Sequence, residues 1–372
     1  MKMEARIHRI AAGAPDDVSG LEQEIAAGRM DARRIIAILG KTEGNGCVND
    51  FTRGFASTAL KTLIARLTGE SSEAVEARVV MVMSGGTEGG LSPHWLVFEV
   101  VEGGGKSVPG QPALALGTAV TRRFAPHEIG RTVQIEATAN AVREAMLAAQ
   151  IDNPLDVHYV QVKCPLLTKS RIAEAKTLGH DVATGDTLKS MAFSRGASAL
   201  GVAIALGEVS RSAINDAVVC RDLSLYSDRA STSAGVELLE NQILVVGNSR
   251  HWSGDYVVAH DVMRDAIDSS AVLRALAAAG LPAQYPLGAE AQGRLRAVLC
   301  KAEASESGLI RGARHTMLDD SDIASSRHAR ALVGGVVAGV VGTTMLFVSG
   351  GAEHQGPDGG GPVAVIARRA SA

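Results

Sequence analysis

An ordered set of three motifs recurs three times along these 372 residues, and that recurrence limits the fold more than any composition does. In each copy an apolar run ends in a lysine: RRIIAILGK places Lys41, VHYVQVK places Lys163 and LRAVLCK places Lys301. Next comes an arginine opening a helix rich in small apolar residues: FTRGFAS gives Arg53, FSRGASA gives Arg195 and SSRHARALVGG gives Arg327. A second apolar run then closes on Ser-Gly/Ala-Gly-x-Glu: MVMSGGTE gives Ser84, ASTSAGVE gives Ser233 and MLFVSGGAE gives Ser349. Short apolar runs bounded by turn residues read as buried strands. One more such strand follows each serine motif, namely WLVFEVV, QILVVGN and PVAVIAR.

Each copy also carries a second helical segment: VSGLEQEIAAG, VQIEATANAVREAMLAAQ and DAIDSSAVLRALAAAG. The expected fold is therefore α/β, with three structurally similar α/β repeats around a pseudo-threefold axis and one central active site. The first repeat is expected to span 1–104, a Gly/Pro linker 105–111, the second repeat 112–250 and the third 255–372. Residues 208–228 read as an insertion in the middle repeat, which lengthens the path from Lys163 to Ser233.

Composition agrees with this layout. Aromatic residues make up only 3% of the chain against 46% hydrophobic residues overall, so the core must be built from Ala, Val, Leu and Ile. A net charge of −3 and a pI near 6.4 argue against nucleic acid or an anionic membrane as the main partner. The four cysteines stand far apart with no CxxC pair, which suits a reducing cytoplasm. The uncharged stretch 332–348 falls short of the roughly 20 residues a membrane span needs and reads as a helix followed by a strand. The charged N-terminus shows no apolar signal core.

Strand ends meeting at one crevice are where α/β folds place chemistry. Lysines crowded against arginines lose affinity for their protons, because the guanidinium does not give up its own. A neutral lysine can take the proton of a neighbouring serine, which is the serine–lysine form of an activated nucleophile. The glycine after the serine lets backbone N–H groups approach a developing oxyanion. A lone strand-end lysine or Ser-Gly-Gly turn is more often structural, yet three ordered recurrences favour a shared site. No zinc-type histidine pattern, phosphate loop or GxSxG elbow competes with it.

The blocks GKTEGNGCVNDFTRGFA, MVMSGGTEGGLSPHW, VQVKCPLL, FSRGASALGVA, DRASTSAGVE and VSGGAEHQGPDGGGPVAVIAR together resemble the ring-opening amidohydrolases, over nearly the whole chain. The resemblance implies Ser233 as nucleophile and Lys163 as its base. It implies substrate binding by Arg53, Arg195 and Arg327 with Ser84, Gly85, Ser233, Ala234, Ser349 and Gly350, supported by Lys41 and Lys301. Ser231 is the competing register, disfavoured because Gly and Glu then lose their offsets. The substrate implied is a small planar cyclic imide, cyanuric acid, opened to carboxybiuret and so to biuret. Barbituric acid is the alternative, with Ile323 a candidate for deciding between the two. A reading of another class is a non-catalytic binder of such rings. No organic cofactor is implied. A structural divalent cation, Mg2+ or Ca2+, is implied at AEHQGPDGGGP, held by Glu303 and the carbonyls of Ala352, Gln355, Gly356, Pro357 and Gly360. A homo-oligomer, a tetramer, in the cytoplasm completes the expectation.

Overall fold

The computed structural model describes residues 2–103, 110–318 and 321–370. Of the expected linker, 105–109 lies outside the described residues. Twelve strands form three four-stranded sheets. The first sheet holds β1 (Met3–Ala11), β2 (Ile35–Thr42), β3 (Val80–Gly85) and β4 (His94–Glu102), in the order β3-β2-β4-β1, with Trp252–Ser253 added at the β1 edge. In the second sheet, β5 (Ala113–Val120), β6 (Val157–Cys164), β7 (Ala230–Ala234) and β8 (Gln242–Ser249) run β7-β6-β8-β5. The third sheet repeats the order once more, as β11-β10-β12-β9, from β9 (Tyr256–Met263), β10 (Leu295–Ala302), β11 (Phe347–Gly350) and β12 (Gly361–Arg368).

Topology and pairing sense are the same in all three. The fourth strand runs antiparallel to both the first and the second, while the second and third are parallel. Even the irregularities repeat: the ladder between second and fourth strands shifts register at Ile36, His158 and Arg296, in each case five residues before the lysine. A bulge held at one position in three sheets belongs to the repeat unit itself. The opening strand of each repeat was not anticipated. In β1 it alternates buried Ala5 and Ile7 with less buried Arg6 and His8, a half-polar pattern weaker than the continuous apolar runs.

Two principal helices cover each sheet: α1 (Ser19–Ala26) and α2 (Phe51–Thr68), α3 (Thr132–Ala148) and α4 (Thr187–Leu206), α5 (Ser269–Ala278) and α6 (Ser325–Val341). The arginine-bearing helices α2, α4 and α6 all end at a left-handed glycine, Gly69, Gly207 and Gly342, a conformation free of steric cost only without a Cβ. Period-two alternation splits β2 and β10 between two cores, whereas the apolar residues of β6 all join one. In β2, Ile38 packs under the helices while Ala37 and Leu39 enter an interior shared with the other repeats. Lys41 follows Ala37 and Leu39 in that alternation, and Lys301 follows Ala297 and Leu299 in the same way. The 208–228 segment closes over α3 and α4 through Ile214 and Val219, and its Cys220 N–H donates to Nε2 of His354 at 2.8 Å.

Candidate active site

The parallel pairing of second and third strands sets each lysine beside the serine of its own repeat. Lys41 is the register partner of Ser84, Lys163 of Ser233 and Lys301 of Ser349. Ser231 pairs with Gln161 instead, which supports the Ser233 register. Ser84, Ser233 and Ser349 line one polar cavity with Gly85, Ala234, Gly350, Arg53, Arg195 and Arg330, joined by Gly46, Met83 and Met191. The lysines lie behind this surface and are almost completely buried, at 0%, 1% and 1% exposure.

Each lysine bonds across a repeat boundary. Lys41 Nζ donates to the Val348 carbonyl at 2.6 Å, Lys163 to that of Met83 at 3.0 Å and Lys301 to that of Thr232 at 3.0 Å. Each of these carbonyls belongs to the residue just before another repeat's serine, so the three lysines close a ring of contacts about the axis. Lys41 also reaches Ser84 Oγ at 3.4 Å, and Lys301 reaches Ser349 Oγ at 3.2 Å. The middle repeat differs. Ser233 Oγ shares a hydrogen bond with Ser349 Oγ at 3.0 Å, and the other partner of Lys163 Nζ is Glu237 at 2.7 Å. The direct Lys163–Ser233 bond expected from the sequence is not among the bonds in this conformation. Ser233 Oγ is turned to Ser349 Oγ instead, and Lys163 Nζ to Glu237 and the Met83 carbonyl.

Arginines take the remaining edge. Nε and Nη2 of Arg195 form a side-on pair with Glu353 at 2.8 and 2.6 Å, and Arg330 does the same with Glu88 at 2.9 and 2.5 Å. Such forks are the stronger class of ionic hydrogen bond, and each leaves Nη1 uncommitted by the pair. Arg53 instead donates to the carbonyls of Cys47 at 2.6 Å and Ala234 at 3.0 Å.

Two expected residues are corrected. Arg330, not Arg327, occupies the third arginine position: α6 begins at Ser325, so Arg330 lies more than a turn inside it, 4% exposed, while Arg327 is half-buried and off the cavity. Arg195 likewise lies well inside α4, whose start at Thr187 is capped by the Asp186 carboxylate, so only Arg53 sits in a first turn. Ile323 is 43% exposed ahead of α6 and does not line the cavity.

Burial is the main force on the lysines. It lowers Lys41 well below the usual ammonium range, with Arg330 adding to the effect, and lowers Lys301 to about 7, with Arg195 adding. Lys163 is also lowered by burial, but Glu237 opposes the shift more strongly than Arg53 assists it. Glu237 is itself brought down to about 2, because Lys163 and Arg53 outweigh the burial that would raise it.

Around the C-terminal loop, Glu303, Ala352, Gly356 and Pro357 line a common cleft with Glu353 and Asp358. Glu303 accepts from the N–H groups of Ala304 and Ala352, and burial followed by the nearby Glu353 pushes its carboxyl up. Gln355 turns its side chain away to Thr232 N–H, and Gly360 packs against the Met263 carbonyl. Among the described residues no group of three or more His, Cys, Asp or Glu could hold a metal ion. One buried carboxylate repelled by another beside loop carbonyls nevertheless fits a hard cation, which takes oxygen ligands of both kinds.

Comparison with known proteins agrees with this geometry. Residues 6–368 match the family model described as amidohydrolase ring-opening protein. A cyanuric acid amidohydrolase of Ectopseudomonas oleovorans (strain CECT 5344) is 56% identical, covering 98% of this chain and 100% of the relative. One from Azorhizobium caulinodans is 57% identical, covering 98% of both. Among solved structures, a cyanuric acid hydrolase from A. caulinodans superposes with a TM-score of 0.91 at 56% identity, over 99% of this chain and 100% of that one. A second, described as an evolutionary innovation by structural concatenation, gives 0.95 at 49% identity with the same coverage.

Proposed function

We propose, on the premise that this chain belongs to the ring-opening amidohydrolase family, that it hydrolyses cyanuric acid. The observation that carries this reading is the threefold set of serine, lysine and arginine about a single cavity. Cyanuric acid is a planar ring of three carbonyls alternating with three N–H groups, so its symmetry matches that of the cavity. Arg53, Arg195 and Arg330 serve as donors to the ring carbonyls, and the serine hydroxyls meet the ring edge between them.

Reaction needs only one carbonyl. Ser233 turns from Ser349 toward its register partner Lys163, which takes the hydroxyl proton as Oγ bonds to the carbonyl carbon. The ring C–N bond then breaks, and Lys163 returns the proton to the departing nitrogen. Water releases the acyl group from Ser233 as carboxybiuret, which loses CO2 to give biuret. Lys41 and Lys301 support the charge balance and orient Ser84 and Ser349.

A divalent cation, Mg2+ or Ca2+, belongs to the same reading, held by Glu303 and the carbonyls of Ala352, Gln355, Gly356, Pro357 and Gly360. When bound it would supply positive charge beside the Glu303 carboxylate, and it has no step in the reaction. A homotetramer in the cytoplasm is also part of this proposal; exposed Leu147 and Leu155 are the kind of apolar surface that subunits cover. Among the described residues no helix is long and apolar enough to cross a membrane.

The test is direct. Purified protein is incubated with cyanuric acid and, separately, with barbituric acid, and the products are followed by mass spectrometry. Biuret from cyanuric acid is the expected result. Turnover of barbituric acid alone, or of neither ring, overturns the proposal.

A further inference from the structure

The three repeats use the glutamate four residues after the serine in two different ways. Glu88 and Glu353 each reach into another repeat and clasp its arginine, Arg330 and Arg195. Carried round the axis, the same rule sends Glu237 to Arg53. It goes instead to Lys163, whose Nζ lies 2.7 Å from Oε1, and Arg53 completes itself on Cys47 and Ala234 with Asp50 3.8 Å away.

The loop backbone explains the diversion. Gly86 and Gly351, two residues after their serines, adopt φ of 107° and 78°; where a Cβ would point stands the Arg330 guanidinium together with the Glu88 carboxylate it holds, or the Arg195 guanidinium. The matching Gly235 is not among the positive-φ glycines, and the corresponding space is filled by the carboxylate of Glu237 itself. The atoms nearest that position belong to Glu237 and not to an arginine, and the carboxylate folds back onto the lysine of its own repeat. Its outer edge borders a small cleft with Met81, Gln242, Lys61 and Glu76, which leaves Glu237 25% exposed while Lys163 is 1% exposed.

We infer that Glu237 is a positioning residue that singles out the middle repeat as the reactive one. A neutral lysine amine has two N–H donors and one lone pair. Glu237 and the Met83 carbonyl take the two donors, and the lone pair is left for the Ser233 hydroxyl. When the serine proton moves to Nζ, the carboxylate faces the ammonium that forms, as the acid of a Ser-His-Asp triad faces its imidazolium. Lys41 and Lys301 have carbonyl and hydroxyl partners in that place.

The other charges around Lys163 are few. Arg53 faces it from α2, and Cys164 adjoins it on β6 with Arg195 of α4 beyond that thiol. His158, near the opposite end of β6, is taken up by His260 of β9. Burial acts most strongly on the proton affinity of Lys163, and Glu237 is the charge that most opposes it. It favours the charged form, so removing it lowers that affinity and extends the free base to more acid pH.

This inference rests on the proposed roles of Ser233 and Lys163, and the experiment separates the two. Compare the pH profiles of kcat and kcat/KM for cyanuric acid in wild type, E237Q, E88Q and K163A. E237Q is expected to move the acid limb of kcat/KM down by about 1–3 pH units and to lower kcat by roughly 10- to 100-fold, with KM little changed. E88Q, which loosens a substrate arginine, is expected to raise KM and leave the limb in place. An unmoved limb in E237Q, or a rise in KM alone as in E88Q, overturns the inference. If K163A keeps its activity, the Ser233–Lys163 reading fails, whatever E237Q does. Circular-dichroism melting establishes folding; should E237Q not fold, E237D serves, its limb expected to fall below wild type.

Discussion

The reassignment of the third arginine makes a quantitative prediction. Arg330 is 4% exposed and holds Glu88 through two hydrogen bonds, and the Glu88 side chain is itself only 21% exposed. Truncating it in R330A strands a mostly buried carboxylate. Losing one partner of a buried pair costs 3–5 kcal/mol, and the partial exposure of Glu88 places the loss near the low end, about 3 kcal/mol. Catalysis suffers separately. One charge-assisted hydrogen bond to the substrate is worth about 1.5–3 kcal/mol, or roughly 10- to 150-fold in kcat/KM. R327A removes a half-buried side chain off the cavity and should cost less than about 1 kcal/mol, with kcat/KM within about twofold of wild type. Urea titration supplies the stabilities and steady-state turnover of cyanuric acid the kinetics. E88A completes a double-mutant cycle: R330A/E88A should fall short of the summed single losses by about 1–3 kcal/mol. A disabling R327A, or R330A and E88A losses that simply add, would refute the assignment of Arg330.

Two further tests address the nucleophile and the cation. S233A should abolish biuret formation and S231A should retain most of it, because Ser231 faces Gln161 and not Lys163 across the strand pair; a dead S231A with a live S233A would reverse the register. Removing divalent cations with EDTA should lower the melting temperature and, through it, activity, with either Mg2+ or Ca2+ restoring both. Protein stripped of metal by mass-spectrometric assay yet unchanged in melting and rate would eliminate the cation.

The strand-end lysines and serines could be read from the sequence because each is tied to its neighbours by period-two alternation. Once RIIAILGK was a strand, Lys41 had to share a face with Leu39, and the same logic held for Lys301 and Leu299. Helices gave less. In SSRHARAL two arginines stand three apart, almost one turn, so either satisfies the pattern and only the start of α6 at Ser325 decides. The flanking residues held a usable signal: aligning SSRHARAL on its second arginine sets Ala331 against Gly54 and Gly196, whereas the first sets His328 there. The glutamates were written into the Ser-Gly-Gly-x-Glu motif all along, but nothing in their spacing says which would meet arginine and which lysine. Gly46, Met83 and Met191 carried no pattern, since they line the cavity only through the closeness of the three repeats.

How a threefold scaffold comes to react at one third of its perimeter follows from the same contacts. Because Lys301 holds the carbonyl of Thr232, just before Ser233, deleting Lys301 should disturb the serine of the middle repeat, the proposed nucleophile, as well as its own serine. Lys163 does the same to Ser84 through Met83, and Lys41 to Ser349 through Val348. Losing any of the three lysines should therefore slow turnover, and an activity scan over them does not identify the reactive repeat. Asymmetry must be sought in what the ring does not share. Two differences stand out: Ala234 where the other repeats have Gly85 and Gly350, and the carboxylate of Glu237 turned inward where the others turn to arginine. Both lie within four residues of Ser233. On the proposed reading the symmetric contacts hold the ring of the substrate, and this short departure from symmetry chooses the carbonyl that is attacked.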